Sequence, residues 1–146
     1  MVKTGITVMD AMTKKPVSVN PNEIIMNCTN LMLEKHVGSL LVKENEKLLG
    51  ILTERDLVRM ISLGINPSTA KVKQIMTTKI VAITPEKDIY DAVVLMNKEN
   101  VRRLPVVLNK RIIGLLTLRD ILTLQPTLFE LIIDMVDIKK NHLRQM

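Results

Sequence analysis

Aromatic residues are almost missing from this 146-residue chain: Tyr90, Phe129 and no Trp, 1% in all. Stacking platforms for single-stranded nucleic acid need several exposed rings, so that class of function is excluded and the core must be built from Ile, Leu, Val and ten Met. Cysteine is reduced to Cys28, which excludes an internal disulfide, and no Cys/His cluster at zinc spacing exists, so no metal site is expected. No apolar run approaches the ~20 residues that span a bilayer. The N-terminus, MVKTGITVMDAMTKK, has no signal-peptide apolar region, and the expectation is a cytoplasmic protein with no membrane partner. Phosphate-loop, nucleophile-elbow and His-Cys-Asp patterns are also lacking, which points away from an enzyme.

What is present is the composition of a folded protein, 47% hydrophobic and 25% charged, outside the disordered range. The length corresponds to about one domain. Lys and Arg outnumber Asp and Glu by 21 to 15, giving +6 and an attraction for anions. The basic residues are dispersed, with only a modest cluster at Lys139, Lys140, His142 and Arg144. A nucleic-acid partner is therefore disfavoured.

The dominant feature is an internal repeat. Sliding the chain by 64 residues aligns Met12-Thr13 with Met76-Thr77, Val17 with Val81, Pro21 with Pro85, Leu31-Met32 with Leu95-Met96, Gly50 with Gly114 and Arg55-Asp56 with Arg119-Asp120. Roughly 17 identities in about 47 gapless positions mark a tandem duplication. Each copy reads β-α-β-β-α, an α/β (α+β) class. It comprises a short β-branched strand (16–19, 80–83), a helix (22–35, 86–99), a hairpin around Asn45 or Asn109, and a helix opened by Thr53 or Thr117. Thr84 with Pro85 and Glu86 resembles a helix cap. The copies are drawn as 7–64 and 65–124, sharing one core, with Met9, Met12, Met32, Met76 and Met96 as filler. A C-terminal amphipathic helix over 125–146 carries Leu128, Leu131, Ile132, Met135, Val136 and Ile138. It suits either this chain's core or a subunit contact.

Packing accounts for the repeated apolar positions but not for the repeated polar ones. Thr53/Thr117 and Asp56/Asp120 stand where a strand turns into a helix. An Asp accepts charge-assisted hydrogen bonds from vicinal hydroxyls, a Thr donates to phosphate oxygen, and helix N-terminal N–H groups favour anions, so the set suits a ribose-phosphate. The local alternative is that Thr caps the helix and Asp sits on its dipole.

The motifs Gly50-Ile51-Leu52-Thr53-Glu54-Arg55-Asp56 and Gly114-Leu115-Leu116-Thr117-Leu118-Arg119-Asp120, with the Met-Thr leads and Arg102-Arg103-Leu104-Pro105-Val106-Val107, resemble the cystathionine β-synthase (CBS) domain. Two in tandem look like a CBS pair, or Bateman module, over residues 7 to 124. The resemblance implies two motifs related by a pseudo-twofold axis and packed through their sheets. It also implies adenosine ligands (AMP, ADP, ATP or S-adenosylmethionine) in clefts between them. Asp56 and Asp120 would hold the ribose hydroxyls, and Thr53, Thr117, Arg55, Arg119, Arg102 and Arg103 would face phosphates. Pro16, Val17, Ile80 and Val81 would lie against adenine. No cofactor is required; magnesium is a candidate companion of the phosphates. A homodimer and a separate regulated protein are the implied partners. Because the first copy has Gly38-Ser39 where the second has Arg102-Arg103, one site should be tighter than the other. The competing expectation is an oligomerisation scaffold with a vestigial site.

Overall fold

A computed structural model describes residues 3–128, 130 and 133. The elements run α1 (Val8–Ala11), β1 (Thr13–Lys14), β2 (Ser18–Val19), α2 (Ile25–Lys35), β3 (Ser39–Glu44), β4 (Lys47–Thr53), α3 (Glu54–Ser62), a 3-10 turn (Val72–Gln74), α4 (Ile89–Glu99), β5 (Arg103–Leu108), β6 (Arg111–Thr117) and α5 (Leu118–Leu124). The expected mixed α/β class is the one observed. The C-terminal helix expected over 125–146 lies outside the described residues except near its start, where Leu128 is buried.

The two hairpins close through residues that accept left-handed backbone. Asn45 and Glu46 (φ 51° and 66°) join β3 to β4; Asn109 and Lys110 (φ 51° and 64°) join β5 to β6. Two consecutive positive φ values are the signature of a type I′ turn, whose twist matches the strands. His36 and Asn100 end α2 and α4 in the same region, each at φ 55°. Left-handed backbone costs a non-glycine residue ~1–2 kcal/mol, less for Asn. His36→Gly and Lys110→Gly are therefore each expected to raise the melting temperature by about 2–4 °C. Calorimetric melting checks this, and an unchanged or lower value counts against it.

The sheets are β2-β3-β4 and β1-β6-β5, and they do not follow the repeat copies. The lead ahead of the first copy enters the second sheet, with Thr13 opposite Leu115 and Lys14 opposite Gly114. The lead ahead of the second copy meets the first hairpin: Thr77 N–H donates to Ile51 O at 2.9 Å, and Ile51 N–H to Thr77 O at 3.0 Å. Two compact units result, one of Lys15–Ile80 with Asn109–Ile112, the other of Met1–Lys14, Val81–Leu108 and Ile113–Met146. The repeated glycine makes each docking possible. A Cβ on Gly50 would stand 2.7 Å from Met76 Sδ and 2.9 Å from Thr77 O, and one on Gly114 would meet Met12 Sδ at 2.5 Å and Thr13 O at 2.9 Å.

Each unit encloses its own apolar cluster, where one shared core was expected. Ile25, Cys28, Met32, Leu40, Val42, Leu52, Met60 and Val72 fill the first. Val8, Met12, Ile89, Met96, Leu104, Val106, Leu116 and Ile121 fill the second. Helices and a lead of the same unit contribute to each cluster. Met9, expected as filler, is exposed: α1 is a single turn and already turns Val8 and Ala11 inward.

The first strand of the second copy is shorter than expected, and the cause is one residue. In the first copy β2 pairs in parallel with β3, and Leu41 N–H donates to Val17 O at 3.1 Å. Pro105 stands in Leu41's place and has no N–H, so Val81 O loses that donor and only a bridge from Ile83 to Val106 remains. Helix α4 also begins later than expected. Its cap is Asp88, which accepts from Tyr90 N–H; Thr84 instead donates its hydroxyl to Glu86 at 2.6 Å.

Candidate functional site

Both Thr-x-x-Asp corners fold as reciprocal capping boxes, the local alternative read from the sequence. Thr53 N–H donates to Asp56 Oδ2 at 2.9 Å and Asp56 N–H returns to Thr53 Oγ1 at 3.4 Å. Thr117 and Asp120 do the same at 3.0 and 3.1 Å. Such a box satisfies two of the donors a helix start leaves free. The cap accounts for one side of each carboxylate, and the corners differ in what happens on the other.

Around Asp56 every polar group is engaged. The Thr53 hydroxyl donates to Asp56 Oδ2 at 3.1 Å. The Thr77 hydroxyl donates to Asp56 Oδ1 at 3.1 Å, and Arg59 Nη2 forms an ion pair with the same oxygen at 3.5 Å. Arg59 Nη2 also donates to Ile75 O at 3.0 Å. The residue is only 4% exposed, and burying a carboxylate demands this degree of pairing. Neither Arg59 nor Thr77 was singled out from the sequence. The available signals were that Arg59 falls opposite Thr123 in the repeat and that Thr77 belongs to the repeated Met-Thr pair.

Around Asp120 the capping box is all that is made among the described residues. Thr123, in Arg59's place, donates its hydroxyl to Arg119 O. Asp120 is half-buried. Among the described residues nothing donates to its Oδ1, and the Thr117 hydroxyl has no acceptor. Beside it, Leu118 N–H donates to Arg102 O at 2.9 Å, as Glu54 N–H does to Gly38 O at 3.3 Å in the other unit. Arg102 and Arg103 are therefore tied to the Thr117–Asp120 corner, and Gly38 and Ser39 to the Thr53–Asp56 corner. Arg102 is exposed and Arg103 half-buried; Arg55 and Arg119 are exposed. Pro16, Val17, Ile80 and Val81 are half-buried. Val17 and Val81 pack on the clusters of their own units, so only part of each side chain is available.

Other reactive groups contribute nothing here. Cys28 is fully buried, and burial, with Glu23 nearby, pushes its thiol up to about 11; only a thiolate is an effective nucleophile. No group of three His, Cys, Asp or Glu among the described residues suits a metal. No helix there is long and apolar enough to cross a membrane.

The CBS-domain family model matches residues 8–63 and again 72–126. An uncharacterized protein of Methanopyrus kandleri, MK0525, is 32% identical over 127 residues, 85% of this chain and 65% of its own length. The CBS domain-containing protein YhcV of Bacillus subtilis is 32% identical over 115 residues, 79% of this chain and 82% of its own. The chain thus spans just under two thirds of the first relative and most of the second. Among solved structures, a crystal structure titled as the CBS domain NE2398 has a TM-score of 0.77 at 32% identity, covering 81% of this chain and 95% of the other.

Proposed function

The chain belongs to the CBS-domain family, as a tandem pair, and from that premise we propose that it is a regulatory module without catalysis of its own that binds an adenosine nucleotide at the Thr117–Asp120 corner. One observation carries the reading. Among the described residues, an Asp120 carboxylate oxygen without a donor and a Thr117 hydroxyl without an acceptor lie in a segment tied by the Leu118 N–H to Arg102 O bond to two arginines. An acceptor, a donor and paired cations are what a ribose carrying phosphates requires. Val81 offers an apolar surface to the base in place of the aromatic rings that the chain lacks. The same proposal takes the protein as a homodimer, supported by the exposed apolar side chains Val58 and Ile61 on α3, with the nucleotide biasing an equilibrium that a partner protein senses.

Melting in the presence of AMP, ADP, ATP and S-adenosylmethionine tests the reading, because a ligand bound only by the folded state raises the melting temperature. At least one of the four is expected to do so at millimolar concentration. Arg102→Ala with Arg103→Ala is expected to weaken AMP about tenfold or more, since a hydrogen bond to a charged group contributes ~1.5–3 kcal/mol, and to leave adenosine itself unchanged. No shift with any of the four overturns the proposal in favour of a scaffold.

A further inference from the structure

We propose that the first Thr-x-x-Asp corner is a structural latch rather than a second ligand site: Asp56, Arg59 and Thr77 clamp residues 75–77 to α3, leaving the chain one ribose-binding corner. This rests on the nucleotide reading above for its count of sites. For the latch itself it rests only on bonds within one unit.

A carboxylate holds two vicinal hydroxyls by offering them free lone pairs on both oxygens. Asp56 has none to offer without breaking bonds. Oδ2 takes the Thr53 N–H and hydroxyl, and Oδ1 takes the Thr77 hydroxyl and the Arg59 cation. A ligand there must strip a buried charge of its partners before making its own contacts, a cost absent at Asp120. Arg59 reinforces the arrangement because its guanidinium reaches both Asp56 Oδ1 and Ile75 O. One cation thus joins the carboxylate to the backbone just ahead of Thr77.

The clamped segment is the lead that crosses onto the first hairpin, where Thr77 pairs with Ile51. The corresponding lead at Thr13 has no such clamp. Thr13 is exposed, no bond joins it to Asp120 among the described residues, and Thr123 replaces Arg59. The clamped lead runs on within four residues to Ile80 and Val81, the positions that the family resemblance would set against adenine. A pair of copies that began alike has divided two tasks, one corner holding the backbone and the other remaining open.

Titration calorimetry of the full chain with AMP, paired with ligand-free melting, tests this. One AMP per chain is expected. Asp120→Asn should weaken AMP at least tenfold and move ligand-free melting by no more than about 2 °C. Thr77→Val should lower ligand-free melting by about 3–8 °C and retain the wild-type stoichiometry. If the latch bond is the cause, the double variant Asp56→Asn/Thr77→Val melts no lower than Asp56→Asn alone. Should Asp56→Asn fail to fold, Arg59→Met is combined with Thr77→Val instead, and non-additive melting shifts of these two donors on Asp56 Oδ1 support the latch. Two AMP per chain, loss of AMP in Asp56→Asn with none in Asp120→Asn, or additive melting shifts each overturn the latch. If wild type binds no adenosine ligand, the nucleotide reading falls, and the latch is decided by the melting cycle alone.

Discussion

Gly50→Val and Gly114→Val are each expected to destabilise the protein by about 1–3 kcal/mol, the range for forcing extra atoms into a closed contact, or roughly 3–10 °C in melting temperature. A methionine side chain can rotate away from a new Cβ, but a carbonyl oxygen cannot. Thr77 O and Thr13 O each lie 2.9 Å from where that carbon would sit, so relief requires the lead segment to lift from its hairpin. Alanine provides the check on sign. In an open strand Gly→Ala gains roughly 0.5–1 kcal/mol from the unfolded state; here Gly50→Ala and Gly114→Ala should lose stability. A gain in either, measured by urea unfolding, would mean that the approach is not tight.

Asp88→Ala is expected to cost about 2–3 kcal/mol, from a lost helix cap at ~0.5–2 kcal/mol and further stranded donors. Its carboxylate caps α4 through Tyr90 N–H at 2.8 Å and also collects Gly5 N–H at 2.9 Å and Thr4 through both its N–H and its hydroxyl. Burial by itself pushes the pKa of this carboxyl up, but the donors outweigh it and hold the group below its ordinary value. A folded value below the unfolded one, near 3.9, gives stability present above about pH 4 and lost as pH falls through the folded value. Asp10, held low by Thr7, and Glu86, held low by Thr84, act in the same direction, so Asp88→Ala should flatten the acid limb only in part. Hydrogen exchange locates the damage. Val8 N–H, bonded to Lys87 O, and Ile89 N–H, bonded to Ile6 O, should exchange faster in Asp88→Ala while amides of β3 and β4 do not. Uniform acceleration would mean that Asp88 acts on global stability instead.

The repeat made the β-α-β-β-α order legible because apolar spacing and turn residues are local signals, and the hairpins formed where Asn45 and Asn109 stand. Three things were not legible, each for a physical reason. Pro105 erases a strand in a partner segment more than twenty residues away, by withholding an N–H that only the paired register makes necessary. Thr84 has the right neighbours for a cap but loses to Asp88, whose carboxylate also answers donors from the N-terminal segment. The difference between Asp56 and Asp120 depends on Arg59 and Thr77, one of them in the next copy's lead, and nothing in the motif itself distinguishes the two aspartates. The corners were found from the sequence; their inequality was read there from Gly38-Ser39 against Arg102-Arg103, while Arg59 against Thr123 went unread.

The crossing of the leads also sets a timetable. One unit draws nearly all its chain from Lys15–Ile80, so its contacts close over short loops. The other unites Thr13 with Leu115, a separation of roughly 100 residues, and loop-closure entropy makes such pairings slow. The contiguous unit is therefore expected to assemble before Thr13 and Lys14 pair with β6. Until β6 is available, the edge of Thr13–Lys14 is open to any other strand, including the same segment of a neighbouring chain.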